Sequence, residues 1–306
     1  ALTTQQRHLL WSAALTLLLK VIALPYVLHR LIRRLSVKWD IETLLNIPTT
    51  MLIGIVLVVI AFNVAQPISQ LSGTIMRATI GIALACVLAW DMSALDMPMA
   101  YWFGNSQGFA LQNDWFMVNI AHEGARKLAW IIVMGLSLAI WWPVGWLRKV
   151  PYPRRIQLVV GSLIALVVMT LIKRISVTSC PWDLSDFGGV GHYVSHWAWG
   201  VTDGGGGHCF PAGHASAGFA FINGYFALRH DLPRAARLWL ATALVAGFAL
   251  GLAQQMRGAH FMSHTLWTAW LCWTASWFCD LLATRRLTRQ AQADAALPPD
   301  ELLARD

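Results

Sequence analysis

Six apolar segments, each close to the length that crosses a lipid bilayer, alternate with more polar loops along the chain. A membrane-spanning helix needs about 20 predominantly apolar residues. The chain has 306 residues, of which 57% are hydrophobic and only 12% are charged, a composition typical of a polytopic membrane protein. The predicted spans are 78–95, 128–147, 156–172, 212–228, 238–256 and 266–283. We therefore predict an all-α fold with a six-helix transmembrane core.

Two further apolar segments, at residues 9–28 and 47–65, precede this core. They predict an N-terminal extension with one or two more membrane segments. No cleavable signal peptide is expected, because the first apolar run is long and lacks a small-residue cleavage site. The predicted domains are the membrane extension at 1–74, the six-span core at 75–285 and a disordered cytoplasmic tail at 286–306.

The basic residues of the chain lie in short loops between the predicted spans. The net charge of +8 therefore indicates membrane orientation rather than binding to nucleic acid, since Lys and Arg accumulate in cytoplasmic loops. The residues that orient the core are Arg148, Lys149, Arg154, Arg155, Arg229, Arg234, Arg237, Arg285, Arg286 and Arg289. This orientation places residues 96–127, 173–211 and 257–264 on the outer face. The basic residues at 30–38 conflict with it if both N-terminal segments cross the membrane.

Polar residues on the outer face fall into clusters that suit phosphate chemistry. The turn Pro211-Ala212-Gly213-His214 leads into a predicted span, and the N-terminus of a helix binds anions through its free N–H groups and its dipole. Gly213 allows the backbone to approach a phosphate closely, and His214 can protonate a leaving oxygen.

The two remaining clusters supply a nucleophile and positive charge. His260, in the turn RGAHFMSH, can act as the nucleophile, while Lys173 and Arg257 can neutralise phosphoryl oxygens. Two imidazoles and two cations are compatible with a phosphatase that needs no metal or organic cofactor.

The chain resembles the type 2 phosphatidic acid phosphatase superfamily over roughly residues 75–285. Members have six spans and three motifs: Lys, six residues, Arg-Pro; Pro-Ser-Gly-His; and Ser-Arg, five residues, His, three residues, Asp. The resemblance implies that Lys173 binds phosphate, that His214 is the general acid and that His260 forms a phosphohistidine.

Four residues of the family motifs are replaced in this chain, namely by Cys180, Ala212, Gln254 and His264. Ala212 stands at the serine of the phosphate-binding motif. Arg257, one helical turn from the expected arginine, is the first candidate replacement, and Arg174 is a second. Candidates for orienting His260 are His264 and the carboxylates of Asp183, Asp186 and Asp203.

Two cysteines, Cys180 and Cys209, bracket the outer loop that connects the first two motifs. In an oxidising compartment a disulfide between them would tie these motifs together, and two unpaired thiols are the alternative. The other cysteines, Cys86, Cys272 and Cys279, fall within predicted spans and are expected to be packing residues.

Two further interpretations stay open beside the phosphatase. His260 and His264 have the spacing of a helical metal pair, which His208 or His214 could complete as a zinc site. Alternatively, the changed motifs could mark an inactive scaffold that binds a lipid or a partner. Selection of the lipid headgroup is expected in the loops at 96–127 and 182–210. His122 and Glu123 are candidates for a contribution to it, although a polar pair before a span is usually just interfacial.

The sequence thus predicts an integral membrane lipid phosphatase, with possible phosphotransferase activity, in a bacterial inner membrane. Its site faces the periplasm, and its partners are the bilayer and a lipid phosphate or diphosphate. Relatives act on phosphatidic acid, phosphatidylglycerol phosphate, polyprenyl diphosphate and lipid A phosphates, and the sequence does not select among them. It does not indicate an oligomeric state.

Overall fold

The computed structural model of the chain describes residues 73–198 and 200–295, which all belong to one compact unit, Ala65–Asp306. A second unit, Ala1–Val64, lies outside the described residues. The predicted membrane extension at 1–74 therefore lies outside them too, apart from its last two residues.

The described part of the chain is mostly helical, as predicted. Its helices are α1 Gly73–Met92, α2 Asp96–Ala100, a π-helix Phe116–Gly124, α3 Ala125–Leu138, α4 Tyr152–Ile175, α5 Ser216–Phe219, α6 Asn223–Leu228, α7 Pro233–Met256 and α8 Met262–Ala295. Short 3-10 turns occupy Gly145–Lys149, Pro181–Asp183, Ser185–Phe187 and Ala220–Ile222. Strands β1 Gly104–Asn105 and β2 Gly108–Phe109 form an antiparallel hairpin in which Gly104 faces Phe109.

Among the residues that the structure describes, two helices are long and apolar enough to cross a membrane, α4 and α7. A shorter apolar stretch covers Ser216–Leu228. The outward faces of the long helices expose large apolar side chains, such as Val167 and Leu171 on α4 and Val245 on α7, as expected for helices in contact with lipid. These features support a membrane protein, and the number of six spans stays a prediction.

Helix α3 is shorter than the predicted span at 128–147, because it ends at Leu138. Pro143 follows four residues beyond the cap at Ala139, where it cannot supply the N–H that a continued helix requires. The guanidinium of Arg155 donates instead to the carbonyls of Ala139 and Ile140, at 3.1 and 2.7 Å.

Two other predicted boundaries also need correction. The predicted span at 212–228 becomes helical only at Ser216, and the turn Ala220–Ile222 separates α5 from α6. Helix α8 continues to Ala295, so residues 286–295 of the predicted disordered tail are helical. Ala, Gln and Arg are frequent in this segment and favour a helix.

The segment Ser216–Leu228 lies at the centre of the bundle, between α4, α7 and α8. Nearly all of its residues are buried. A Cβ atom on Gly218 would lie 2.3 Å from the backbone nitrogen of Gly247, so only glycine permits this approach of α5 to α7. Such small-residue contacts are typical of helices packed in membranes.

A buried ionic network joins the helices near the start of α4. The carboxylate of Asp280 on α8 accepts hydrogen bonds from Arg154 at 3.2 Å, Gln157 at 2.9 Å and Arg229 at 2.7 Å. Arg154 and Gln157 belong to α4, and Arg229 follows α6. The network therefore fastens three helices at the end of α4 that lies away from Lys173.

Candidate active site

The candidate site lies where the last turn of α4 meets the turns that lead into α5 and α8. Lys173 is in that last turn, and a Cβ atom on Gly213 would lie 3.8 Å from its Nζ atom. The charge of Lys173 acts on His260, and the charges of Lys173 and Arg257 act on His214. The structure therefore brings together five residues that were predicted from three separate segments.

Gly213 leaves space for an anion beside the ammonium group of Lys173. The backbone N–H groups of Gly213 and His214 find no acceptor among the described residues, so they can donate to a ligand. Ser216 Oγ donates to the Gly213 carbonyl at 2.6 Å and fixes the turn at the start of α5. Free N–H groups beside a cation form a suitable site for a phosphoryl group.

Two predicted phosphate-binding residues have other positions. The N–H of Ala212 donates to the carbonyl of His264 at 3.3 Å, and Thr268 Oγ1 donates to the Ala212 carbonyl. Ala212 is fully buried and joins the turn to α8, so its N–H is not available to phosphate. Arg174 is exposed at the end of α4, and the positive charges that act on His214 belong to other residues.

Arg257 is held in the site by two oxygen atoms. Its Nε atom donates to the Gln112 carbonyl at 3.0 Å, and its Nη1 atom donates to Gln254 Oε1 at 3.1 Å. Its guanidinium also lies over the ring of Trp182, 5.8 Å from the ring centroid. Gln254 stands at the position where the family motif has arginine, and its side chain holds the guanidinium of Arg257, which lies about one helical turn further along the chain.

His214 stands before α5 with its ring against that of His122. The two ring centroids are 3.7 Å apart and the ring planes are inclined by 30°. Burial lowers the pKa of His214 to about 3, and the charges of His122, Lys173 and Arg257 act in the same direction. The imidazole is therefore neutral at physiological pH as long as no anion is bound.

His260 is buried in the turn between α7 and α8. Burial lowers its pKa well below the usual value, and the positive charge of Lys173 adds to this effect. Its Nδ1 atom lies 3.4 Å from Nδ1 of His264, and the Cys209 carbonyl lies within hydrogen-bonding reach of both imidazoles. The contact with His264 engages Nδ1 of His260, so Nε2 is the candidate atom for attack on phosphorus.

The carboxylates predicted as candidates for orienting His260 have other partners. Asp183 accepts a hydrogen bond from the Cys180 N–H at 3.2 Å. Asp186 accepts from the Tyr101 hydroxyl at 2.7 Å, and Asp203 accepts from the Ser179 N–H at 2.6 Å. Asp183 therefore stabilises the turn at Pro181 and does not support His260. The role falls to His264 and the Cys209 carbonyl.

The outer loop between α4 and α5 is fastened at three points. Cys180 and Cys209 form a disulfide, with their Cα atoms 5.1 Å apart. Asp203 accepts from both the N–H and the hydroxyl of Ser179. Asp91 on α1 accepts from Trp197 at 2.9 Å and lies 3.3 Å from Nε2 of His196. The segment that carries Cys209 and His214 is thus fastened to the segment after α4 by the disulfide and by Asp203, and the loop is fastened to α1 by Asp91.

Three residues of the site were not predicted from the sequence. His122 contacts His214, its Nδ1 atom lies 3.1 Å from Glu123, and Glu123 forms an ion pair with Arg126 at 2.6 Å. The charges of Arg126 and His122 both act on His214. The sequence places these residues before a span, where polar side chains are common, and it contains no signal for the contact with a turn some 90 residues later.

The structure does not assemble the histidines of the alternative zinc site. His208 is exposed, and its Nδ1 atom lies 3.2 Å from the Lys173 carbonyl. Within the described ranges, the group of three potential metal ligands that come within 4.8 Å of one another is Cys180, Asp183 and Cys209. Two of these are the disulfide cysteines, which have no thiolate to offer a metal.

An apolar cavity of about 290 Å³ adjoins the site on the side of α8. Its lining includes Ile172 and Ile175 from α4, Phe210 from the outer loop and Leu271 from α8. The ring of Phe210 lies 5.3 Å from that of His264. An apolar space therefore lies beside the polar site.

One comparison with known proteins found a match. A family model described as the PAP2 superfamily matches residues 155–287. The matched segment contains Lys173, the turn with His214, and His260, whereas the π-helix with His122 precedes it. No curated protein and no solved structure matches the chain significantly.

The two long apolar helices indicate a membrane protein, and members of the matched superfamily are phosphatases. The match covers the segment from α4 to α8, somewhat less than half of the chain, and supports membership of the PAP2 superfamily, the type 2 phosphatidic acid phosphatases.

Proposed function

We propose that the protein is an integral membrane phosphatase that hydrolyses or transfers a phosphate or diphosphate group of a lipid. The observation that carries this proposal is the convergence of His214 and His260 with Lys173 and Arg257 at one end of α4. Family membership supports phosphatase chemistry. The basic loops at the other end of the helices support a site at the periplasmic face of a bacterial inner membrane.

In the proposed reaction, Nε2 of His260 attacks phosphorus in line with the leaving group. The bond from phosphorus to the leaving oxygen breaks as a phosphohistidine forms, and His214 gives its proton to that oxygen. A water molecule then attacks the phosphohistidine, the P–N bond breaks, and His214 takes the proton of the water. If an acceptor lipid attacks instead of water, the phosphate is transferred.

The cations of the site serve both steps of this reaction. Lys173 and Arg257 stabilise the negative charge on the transferred phosphoryl oxygens, which is the largest contribution that a protein makes to phosphoryl transfer. A bound dianion also offsets the positive charges that lower the pKa of His214. Substrate binding therefore raises this pKa and lets His214 carry the proton that it donates.

The surroundings of the site favour a lipid as the carrier of the phosphate. The apolar cavity beside Phe210 and His264 provides space for part of an acyl or prenyl chain. The exposed apolar faces of α4 and α7 place the same region within reach of the bilayer.

Phosphate release from a panel of lipid phosphates in detergent, with EDTA present, tests this function. The panel contains phosphatidic acid, phosphatidylglycerol phosphate, a polyprenyl diphosphate and lipid A. We expect release by the wild-type protein. His260→Ala abolishes it, and His214→Ala lowers it by about 10²- to 10⁴-fold. His192→Ala is the control, because this histidine lies in the outer loop near Ser185, away from the site.

The same assay separates the competing interpretations. Release that requires removal of EDTA would indicate a metal-dependent hydrolase. Release from no lipid at all, by a protein that elutes as a folded species, would indicate a scaffold.

A further inference from the structure

The π-helix Phe116–Gly124 presents a histidine to the proposed general acid. π-Helices are rare and occur frequently at functional sites, and this one continues directly into α3. His122 lies in its last turn, and its ring centroid is 3.7 Å from that of His214. At this distance and an inclination of 30°, the two rings are in face-to-face contact.

His122 is itself held in place by charged neighbours. Its Nδ1 atom lies 3.1 Å from Glu123, and Glu123 also pairs with Arg126 at 2.6 Å. The His122 side chain is 24% exposed and that of Arg126 is 57% exposed. Glu123 therefore links a partly buried imidazole to a cation at the mouth of the site.

His214 needs an external support because its own turn does not hold its ring. Among the residues that the structure describes, no hydrogen bond fixes the His214 side chain, and the aromatic ring that packs against it is that of His122. Gly213, directly before it, leaves the turn without a side chain that could restrict the ring. A general acid must point its proton at the leaving oxygen within a narrow range of geometry.

We propose that His122 is a positioning residue for His214. The ring of His122 packs against the ring of His214 and fixes its orientation, so that the proton carried by His214 points at the leaving oxygen. This inference rests on the proposed function, because it assigns His122 a role in the protonation of the leaving group. It adds a residue that lies outside the segment matched by the family model.

The dependence on the leaving group tests this role. A general acid matters for an alcohol that leaves poorly, but p-nitrophenolate departs readily without protonation. The probes are short-chain phosphatidic acid and p-nitrophenyl phosphate, and the protein is the full chain in detergent. We expect His122→Ala to lower kcat for phosphatidic acid by about tenfold to a hundredfold and to lower it far less for p-nitrophenyl phosphate.

Two further variants separate positioning from a general structural effect. His122→Phe keeps a flat ring against His214 and is expected to recover most of the activity on phosphatidic acid. Adding His122→Ala to His214→Ala is expected to cause no further loss, since the two residues act through one proton transfer. Ile120→Ala, an exposed change in the same π-helix, is the control for disturbance of the backbone.

The proposal is overturned if His122→Ala lowers kcat equally for both substrates, or if His122→Phe is as inactive on phosphatidic acid as His122→Ala. It is also overturned if the loss of activity in the double variant equals the product of the losses in His122→Ala and His214→Ala. If His214→Ala and His260→Ala themselves leave phosphatidic acid turnover unchanged, the proposed function fails instead. The two failures are therefore distinguishable in one set of measurements.

Discussion

At the level of single residues, the electrostatics of His214 determine how the site responds to an anion. Burial, together with the charges of His122, Lys173 and Arg257, lowers the pKa of His214 to about 3. A bound dianion offsets these charges, so the pKa is higher in the complex than in the free protein. Anion binding must then be accompanied by uptake of a proton, and affinity must rise as pH falls through the pKa of the complex.

Competitive inhibition by sulfate between about pH 5 and pH 8 measures this linkage. Sulfate stays doubly charged over the whole range, so any pH dependence arises from the protein. We expect the inhibition constant of the wild type to decrease toward acid pH, by at most about tenfold per pH unit. His214→Gln is expected to flatten the curve and His192→Ala to leave it unchanged. An equal slope in His214→Gln would show that another group takes up the proton.

Sequence spacing places Lys173, His214 and His260 in the family motifs, and their catalytic roles stay predictions. The three residues lie in one region of the structure because each is at one end of an apolar segment, and such ends come together when the segments pack. The contact of His122 with His214 was not predictable in this way. It depends on a π-helix, whose backbone pattern has no residue signature and results from packing.

At the level of secondary structure elements, the outer loop between α4 and α5 connects the disulfide to the candidate nucleophile. Its disulfide joins Cys180, after α4, to Cys209, before α5. The Cys209 carbonyl lies within reach of His260 and His264. Opening the disulfide therefore frees the segment that orients the nucleophile.

A reductant in the assay tests this coupling. Reduction of the wild type is expected to lower the free energy of unfolding by roughly 3 kcal/mol, as for a closed loop of this size, and to reduce phosphatase activity. The double variant Cys180→Ser, Cys209→Ser should be insensitive to reductant, whereas Cys86→Ser should respond like the wild type.

A thiol titration of unreduced, denatured protein provides the independent check. Three of the five cysteines are expected to react, namely Cys86, Cys272 and Cys279. Five reactive thiols would contradict the disulfide.

The ends of the helices show what sequence patterns could not predict. The apolar run at 128–147 predicted one span, but hydrophobicity alone does not mark where a backbone can continue as a helix. Pro143 and the hydrogen bonds from Arg155 decide that α3 ends at Leu138. Similarly, the polar composition after residue 285 predicted disorder, whereas α8 continues to Ala295 with support from residues of high helix propensity.

At the level of the whole molecule, the buried ionic network and the candidate site lie at opposite ends of α4. Asp280 binds Arg154, Gln157 and Arg229 near the start of this helix. Arg154 precedes Lys173 by roughly 28 Å along the helix axis. A change in the ionic network should therefore affect the stability of the bundle without altering the geometry of the site.

Asp280→Asn tests this separation. The substitution leaves two partly buried guanidinium groups without a counter-charge, and breaking such a pair costs about 3 to 5 kcal/mol. We expect a lower midpoint of thermal unfolding in detergent and nearly unchanged kcat at temperatures where the variant is folded. Asp231→Asn, at an exposed position in the adjacent turn, is the control. A loss of kcat without a loss of stability would refute the separation.

The hydrogen bond from Arg257 to Gln254 also couples the two positions. Gln254→Arg alone would place two guanidinium groups side by side and remove the acceptor that holds Arg257. The effect of a substitution at either position therefore depends on the residue at the other, so their effects are not additive. A design that moves the guanidinium from position 257 to position 254 has to change both residues together.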